Sequence, residues 1–285
     1  MCYTAGMIVD CHSHVFPDEV RARRAWFQAH DPWFGTLYER PTARLATAED
    51  VLAGMAASGV DRTVLLGFPW RDLGACVAQN DYVIDAVRRF PDRLLGFAIV
   101  PPATGDPAAR ELDRCLAAGL VGCGELGPDG QNFDPADPAV LGPIAEVLVA
   151  HGRPLLIHSS EPLGHGYPGK GTVYPQKLLA GATAFPALTW ILAHWGGGLP
   201  FYELMPEVAE ALRNVYYDTA ASTYLYRFDI FPLAVRLVGA GRILWGTDYP
   251  LLGQARFLAR VRAAGLTAED EAAILGGNAA RLFGL

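Results

Sequence analysis

Short apolar runs alternate with segments of helical periodicity along the whole chain. The runs are nearly continuous in apolar residues, as strands buried on both faces are, and they recur about every 30 residues. Eight such runs occur, at 7–12, 62–68, 93–100, 119–126, 153–159, 188–194, 214–220 and 242–248. Eight strands that alternate with helices predict an α/β fold, a single (β/α)8 TIM barrel. An open doubly wound sheet rarely uses eight such regular units.

The segments between the runs predict the barrel helices. They lie at 48–59, 79–90, 108–119, 139–152, 175–185, 203–213, 229–241 and 254–265, and many end in Gly or precede Pro. The last segment, 267–285, opens with a Thr cap and an acidic first turn, so we expect C-terminal helices on the outer wall. We therefore expect residues 1–285 to form one barrel domain, with a long aromatic strand-1 loop at 15–46.

Composition narrows the choice of partners. With 285 residues, of which 51% are hydrophobic and 19% charged, the chain can bury one large core. A formal net charge of -7 argues against a nucleic-acid groove, which needs a basic surface. Only two lysines, Lys170 and Lys177, are present, so a role that requires lysine must fall on one of them.

Cysteine usage and the N-terminus predict a cytoplasmic protein. The five cysteines are scattered and form no CxxC pair, which favours a reducing compartment over a disulfide framework. The first ten residues lack a basic segment followed by a long apolar one, and no stretch approaches 18 uninterrupted apolar residues. We expect no membrane segment and no export.

Polar residues able to bind metal stand at the ends of five predicted strands. Barrel enzymes carry their chemistry at the C-terminal ends of the strands, so residues placed there are candidates for the active site. In chain order they are His12 and His14, Glu125, His158, His194 and Asp248. Four of the seven histidines fall at these ends. Chance placement seldom delivers five such strand ends to one face of a barrel.

The stretch VDCHSHVF places Asp10, His12 and His14 at alternate positions. In a strand such residues share one face, about 6.6 Å apart, so the two imidazoles can converge on one ion. Imidazole and carboxylate ligands suit Zn²⁺, Mn²⁺ or Fe²⁺, and a site with few protein ligands leaves a position for water. Asp10 lies one step deeper, where we expect it to support the ligands or the barrel floor.

Five motifs together resemble a known family. DCHSH, GELG, IHSSEP, AHWGG and GTDYP occur in this order, each on its own predicted strand. In this the chain resembles the amidohydrolase superfamily, specifically its amidohydrolase-related branch. That branch includes metal-dependent hydrolases, lactonases and non-oxidative decarboxylases similar to aminocarboxymuconate-semialdehyde decarboxylase. The resemblance covers nearly the whole chain.

The resemblance implies a divalent metal, in the first place Zn²⁺, with Mn²⁺ or Fe²⁺ as alternatives. It implies that His12 and His14 bind the metal from strand 1, His158 from strand 5 and Asp248 from strand 8. It further implies two catalytic residues. Asp248 would take a proton from metal-bound water, and His194 would orient or activate that water or bind a second metal.

Glu125 leaves the number of metal ions open. Dinuclear relatives often bridge their metals with a carboxylated lysine at the end of strand 4, yet neither lysine of this chain lies there. Glu125 occupies that place. It could bridge two metals, bind one, or accept a hydrogen bond from a liganding histidine, so one or two ions are expected.

One motif favours a different class of protein and is set aside. GCGELG at 122–127 matches the dinucleotide fingerprint G-x-G-x-x-G. That fingerprint must open a helix on which a pyrophosphate sits, whereas PDGQNFDPADP follows here, where we expect no helix.

Two long strand-end loops are predicted to meet the substrate. The first, 15–46, is rich in aromatic residues, which indicates either a lid over an apolar or aromatic substrate or a dimer contact. The second, 159–175, is rich in glycine and carries Lys170, which either binds a substrate anion or lies on ordinary solvated surface. The candidate substrate-binding residues are Trp70, Arg71, His165, Lys170, Trp195 and Tyr224.

The leading functional hypothesis is a metal-dependent hydrolase that uses metal-activated water on a small amide, ester or lactone. The alternative is a metal-dependent non-oxidative decarboxylase of an aromatic or enol carboxylic acid. The aromatic loop favours the decarboxylase and Glu125 favours the hydrolase. A barrel retained only for binding is disfavoured by the intact ligand set. We expect a small anionic or aromatic substrate, and a homodimer is left open.

Overall fold

Eight parallel strands line the centre of the molecule in chain order. The structure is a computed structural model that describes residues 6–285; residues 1–5 lie outside the described range. Strands β1 to β8 run Val9–His14, Arg62–Leu66, Leu94–Gly96, Cys123–Leu126, Leu155–Ile157, Trp190–Leu192, Val215–Asp218 and Ile243–Leu244. They form two parallel sets, β1 to β3 and β4 to β8, and each strand pairs with its neighbours in sequence.

Two isolated bridges close these sets into a barrel. One pairs Ala98 with Cys123 and so joins β3 to β4, and the other pairs Ser13 with Tyr249 and so joins the last strand to the first. At this second seam the backbone N–H of His14 donates to the carbonyl of Tyr249 at 2.7 Å. The predicted (β/α)8 barrel is confirmed.

Helices follow the strands close to the predicted places. They run Asp18–Ala22, Arg24–His30, Pro32–Leu37, Ala48–Ser58, Leu73–Arg89, Asp106–Ala117, Pro128–Gln131, Pro138–His151, Pro175–Ala184, Pro206–Ala211, Ser222–Leu225, Ile230–Val238, Gln254–Arg262, Ala268–Ala272 and Asn278–Phe283. The helices that end at Ser58 and His151 stop at left-handed Gly59 and Gly152, as their sequences predict. Between the last two of these helices the chain forms a π-helical turn at Ala273–Gly277.

Some boundaries differ from the prediction, and one short helix forms that the sequence does not predict. β1 is shifted to Val9–His14, so that His14 belongs to the strand. β3 ends at Gly96 although the apolar run continues, because Ile99 and Val100 are buried outside the strand; apolar character reports burial rather than strand pairing. The expectation of no helix after the glycine motif is wrong, since one helical turn forms at Pro128–Gln131, where Pro128 occupies the first position.

The strand-1 loop, 15–46, is folded rather than extended. It contains three short helices, and the Asp31 side chain caps the third by accepting from two backbone N–H groups. Its aromatic residues pack with two from the loop after β2. Phe16, Phe34, Tyr38, Phe68 and Trp70, here called the aromatic cluster, have ring centroids 4.5–6.4 Å apart. The loop is thus held to the barrel mouth by its own aromatic side chains.

Two further expectations concern the whole chain. Cys11, Cys76, Cys115 and Cys123 are buried free thiols, whereas Cys2 lies outside the described residues. Within residues 6–285, no helix has the length and apolar character needed to cross a membrane.

Candidate metal site

The six residues predicted from the strand ends do come together at the C-terminal mouth of the barrel. β1 supplies His12 and His14, and β4 supplies Glu125. His158, His194 and Asp248 each follow the last residues of β5, β6 and β8. Two overlapping groups form, both of which include Glu125: His12 with His14, and His158 with His194.

In the first group, the two imidazole nitrogens and the carboxylate oxygen face one another around a common point. The Nε2 atoms of His12 and His14 lie 3.1 Å apart, and they lie 3.6 and 3.4 Å from Oε2 of Glu125. Oδ1 of Asp248 is 3.8 and 3.5 Å from the same two nitrogens. Ligand atoms held about 2.0–2.2 Å from one ion are themselves roughly 3.0–3.6 Å apart. The four side chains therefore have close to the spacing of a coordination shell.

The second group uses the other oxygen of Glu125. Oε1 lies 3.1 Å from Nδ1 of His158 and 3.4 Å from Nε2 of His194. One carboxylate thus faces two pairs of imidazoles, one pair with each oxygen. This arrangement is compatible with a bridging ligand, so the number of ions stays a prediction.

The chemistry of the donors fits a cation. Although burial raises the pKa of Glu125, the nearby imidazoles of His12 and His158 hold it well below its usual range. Burial lowers the pKa of His194, but the hydrogen bond with Glu125 and the charge of that carboxylate raise it to about 9. Nε2 of His158 is buried and has no hydrogen-bond partner. Carboxylates crowded against imidazoles, with a buried nitrogen unpaired, are the residues expected around a divalent metal.

The loop after β6 is wound in a way that few residues can adopt. His194 and Trp195 have left-handed φ angles of 55° and 60°, and the three glycines that follow are also left-handed. A Cβ on Gly197 would lie 2.2 Å from the carbonyl oxygen of Ser160, so only glycine fits there. The sequence AHWGGG therefore forms a tight turn whose base touches the loop after β5.

Asp218, at the end of β7, is a site residue that sequence reasoning missed. Its Oδ2 lies 2.8 Å from Nδ1 of His12, and its Oδ1 accepts from the backbone N–H of His194 at 2.9 Å. The signal was present, because Asp218 is a carboxylate at a strand end like the others. Taken alone, however, the run NVYYDTA predicts only a strand.

Asp10 lies deeper in the barrel, as expected. It is fully buried, and its Oδ2 accepts hydrogen bonds from the side chains of Thr247 and Gln254 at 2.7 and 2.8 Å. Its Oδ1 accepts from the backbone N–H of Thr247 at 3.0 Å. Asp10 therefore ties β1 to the segment after β8, directly below the ligands.

Two candidate substrate-binding residues are packed in the interior. Trp70 is 2% exposed and belongs to the aromatic cluster. Trp195 is fully buried, its indole N–H donates to Oγ of Ser222 at 2.7 Å, and its ring packs on Phe231. The structure gives both indoles packing roles, and their contact with substrate stays a prediction.

Three other candidates lie toward the surface. The Arg71 side chain donates to the backbone carbonyl of Gly130. Tyr224 is 53% exposed. His165 lies in the loop after β5, 5.5 Å from the ring of Tyr167. A role for these residues in binding substrate also stays a prediction.

Lys170 binds within its own loop. Its ammonium donates to the carbonyls of Leu163 and His165 at 2.7 and 3.0 Å, and it lies 3.1 Å from Oε1 of Glu161. These acceptors match the three N–H donors of a lysine. The side chain therefore holds the loop together, and an anion would have to compete with these partners.

Tyr38 belongs near the mouth as well. Burial, together with the negative charges of Asp248 and Glu125, raises the pKa of its hydroxyl. Its ring stacks on Phe34, with centroids 4.8 Å apart. The aromatic cluster thus presents a neutral phenol toward the carboxylates of the site.

Comparison with known proteins separates the two leading hypotheses. The chain is 28% identical over 246 residues to a gamma-resorcylate decarboxylase from Polaromonas sp., covering 72% of this chain and 75% of that protein. It is 25% identical over 244 residues to a 2-amino-3-carboxymuconate-6-semialdehyde decarboxylase from Dictyostelium discoideum, covering 72% and 65%. Both relatives are decarboxylases, so our leading hypothesis of a hydrolase is wrong and its alternative has the better support.

A solved structure and a family model identify the fold and the family of the chain. A dihydroxybenzoic acid decarboxylase from Polaromonas sp., solved with manganese and the inhibitor 2-nitroresorcinol, matches with a TM-score of 0.75 at 22% identity, covering 98% of this chain and 97% of that one. At that identity the likeness shows the fold. The family model described as Amidohydrolase matches residues 9–285, nearly the whole chain. The resemblance predicted from the five motifs is therefore confirmed: the chain belongs to the amidohydrolase family.

Proposed function

We propose that the protein is a metal-dependent, non-oxidative decarboxylase of a small aromatic carboxylic acid that carries a ring hydroxyl. The observation that carries the proposal is the group formed by His12, His14, Glu125 and Asp248, whose facing atoms are spaced like a coordination shell. The names of the relatives support the reaction class. The aromatic cluster beside the site supports an aromatic substrate.

The metal-holding residues in this proposal are His12, His14, Glu125 and Asp248, with His158 facing the other oxygen of Glu125. A divalent cation bound there supplies a Lewis acid that attracts the anionic substrate. The motif resemblance implies Zn²⁺ in the first place, and the manganese in the solved relative makes Mn²⁺ an equal choice for loading. Metal content per chain after loading distinguishes one ion from two.

Asp248 is proposed as the proton donor to the substrate. Its carboxyl group would transfer a proton to the ring carbon that bears the carboxylate. The bond between that carbon and the carboxylate then breaks, its electron pair returns to the ring, and CO2 leaves. One proton from the Asp248 carboxyl group replaces the CO2 that leaves the ring, and Asp248 is left as a carboxylate, so no oxidant or reductant is needed. His194, with a pKa raised to about 9, is a second proton-bearing group in the same site.

The surroundings fit a flat, anionic molecule. The site residues are largely buried, with the side chains of His14 and Asp248 only 13% and 15% exposed. Tyr38 adds an aromatic ring and a neutral hydroxyl that can donate a hydrogen bond to a substrate oxygen.

A substrate panel tests the proposal. Protein stripped with chelator and reloaded with Mn²⁺ or Zn²⁺ should release CO2 from one or more mono- or dihydroxybenzoates. It should leave matched esters, amides and lactones intact. A double variant, His12→Ala with His14→Ala, should lose both bound metal and CO2 release. Metal-loaded protein that hydrolyses the ester panel, yet leaves every hydroxybenzoate unchanged, would contradict the proposal.

A further inference from the structure

Asp218 connects two parts of the site that lie on different strands. It is fully buried at the end of β7. Its Oδ2 lies 2.8 Å from Nδ1 of His12. Its Oδ1 accepts from the backbone N–H groups of His194 and Ala220, at 2.9 and 3.0 Å. Each carboxylate oxygen therefore has its own partners.

The arrangement fixes which nitrogen of His12 carries the proton. A carboxylate only accepts hydrogen bonds, so Nδ1 of His12 must be the donor to Asp218. Nε2, which faces His14 and Glu125, then keeps its lone pair for a metal ion. A carboxylate behind a liganding imidazole also fixes the ring orientation and makes the imidazole more basic.

The other oxygen supports His194. The backbone N–H that it accepts belongs to the left-handed turn that aims Nε2 of His194 at Glu125. The same turn is held from its imidazole side, because Nδ1 of His194 lies 3.2 Å from the carbonyl of Ala220. Residues at the end of β7 thus hold both histidines. The Asp218 side chain contacts the ring of His12, and it also accepts from the backbone N–H of His194.

We propose that Asp218 is the positioning residue of the metal site: it sets the tautomer and orientation of His12 and anchors the turn that places His194. The inference rests on the metal site of the proposed function, and it does not depend on the reaction. It adds a role to β7, one of the three strands for which the sequence predicts no ligand.

Asp218→Asn tests the tautomer directly, because the side chain keeps its size. The two backbone N–H groups require an acceptor, so the amide oxygen takes the place of Oδ1. The amide NH2 group then faces Nδ1 of His12, which must become an acceptor and leave its proton on Nε2. We expect the affinity for Mn²⁺, measured by titration against a competing chelator, to fall by about 10–100-fold.

Glu203→Gln is the matched control. Glu203 is also a buried carboxylate attached to β7, since it accepts from the Tyr217 hydroxyl at 2.6 Å, but its other partner is the side chain of Arg242 rather than an imidazole. It should lose stability and keep its affinity for Mn²⁺ within about twofold of wild type. Equal losses of affinity in both variants would show that Asp218 acts only through general stability, which would overturn the proposal.

A measurement on the wild-type protein covers the case in which Asp218→Asn does not fold. In the Zn²⁺-loaded protein, labelled with ¹⁵N in histidine, NMR should show a ring proton on Nδ1 of His12 that exchanges slowly with water. A rapidly exchanging Nδ1 proton, or a proton on Nε2, would overturn the proposal. Wild-type protein that binds neither metal would instead contradict the metal site of the proposed function, so the two failures are distinguishable.

Discussion

Asp248 differs from Glu125, the other carboxylate of the proposed coordination shell, in its exposure and in its backbone conformation. It lies 3.5 Å from Nε2 of His14, within the proposed coordination shell, and its side chain is the more exposed of the two carboxylates there, at 15% against 8% for Glu125. Its backbone is left-handed, with φ of 65°. Asparagine tolerates that conformation well among residues with a side chain. An exchange for asparagine therefore removes the ionisable group without straining the chain.

Asp248→Asn should abolish the ability to donate a proton while leaving the fold intact. We expect the rate of CO2 release to fall by about 10²–10⁴-fold, the usual contribution of general acid–base catalysis. The melting temperature of the metal-free protein should stay within about 2 °C of wild type, as for substitutions that break no packing. Steady-state kinetics and thermal melts of the same preparation check both values.

Asp113→Asn provides the control for that experiment. Asp113 is an exposed aspartate of the helix Asp106–Ala117 that pairs with His151, outside the candidate metal site. It should keep wild-type kinetics. If Asp248→Asn retains more than half of the wild-type rate, Asp248 is not the proton donor.

At the level of single residues, a site residue can be predicted from sequence when its position follows from the regular geometry of a strand. His12 and His14 could be predicted because alternate residues of a strand share a face and the apolar run showed where the strand ends. The partners of Lys170 within its own loop could not be predicted, because its rarity says nothing about whether its donors are already used. The role of Asp218 required knowing that its two oxygens face different strands.

Two loops meet over the mouth, and their contact is the main feature at the scale of elements. A Cβ built on Gly169, in the loop after β5, would lie 2.3 Å from Cδ2 of Leu37 in the strand-1 loop. Gly169 also has a left-handed φ of 87°. The close approach at this point depends on the absence of a side chain.

Gly169→Ala should strain the left-handed backbone of this loop and displace the Leu37 side chain, and it should thereby disturb the substrate more than the metal. We expect KM for the hydroxybenzoate substrate to rise about threefold or more, while the affinity for Mn²⁺ is unchanged, because a misplaced loop alters contacts with substrate outside the coordination shell. Initial rates over a range of substrate concentrations give KM.

Gly166→Ala, in the same loop, is the matched control. A Cβ there meets nothing within 4 Å, and Gly166 is not among the residues with positive φ. It should behave as wild type. A change of KM that is equal in both variants would show that the loop acts through its flexibility and not through contact with Leu37.

The sequence predicts whether a segment is a helix or a strand better than it predicts the residues at which that element begins and ends. The helix Ala48–Ser58 lies within a residue of its predicted bounds because Thr47 caps one end and Gly59 the other. The predicted helix at 203–213 begins late, because a 3-10 segment, Leu199–Leu204, precedes Pro206. Apolar periodicity continues through such a change of winding, so it does not mark it.

At the scale of the whole molecule, the seam between the first and last strands depends on a buried hydrogen-bond network around Asp10. Asp10 accepts from the backbone and side chain of Thr247 and from Gln254, all close to β8. Ser13 donates to it at 3.1 Å from the β1 side. A buried carboxylate whose oxygens accept from several donors stabilises the closure of the barrel. A substitution that leaves one of these buried donors without an acceptor lowers the free energy of unfolding.

Asp10→Asn should therefore destabilise the entire barrel. One carboxylate oxygen becomes an NH2 group that faces donors, so we expect the free energy of unfolding to fall by about 2 kcal/mol. Urea unfolding in the presence of chelator measures this without a contribution from bound metal. Asp137→Asn, at an exposed N-cap where asparagine serves equally well, should leave the value unchanged. Equal stability of the two variants would mean that the seam does not depend on the charge.

The barrel as a whole could be predicted because eight repeats allow few other topologies. The reaction could not. Hydrolases and decarboxylases of this family use the same strand ends, and nothing in the motifs says whether water or a ring carbon receives the proton. Named relatives, and not any one residue, favoured the decarboxylase.

The scarcity of lysine has a practical consequence for handling the protein. Lys170 and Lys177 are the only side-chain amines in the sequence, and both belong to the loop after β5 or the start of the helix that follows it. Supports that couple to side-chain amines would thus attach the protein beside the entrance to its own site. Coupling through arginine or carboxylate groups, which are spread over the surface, leaves that entrance facing the solution.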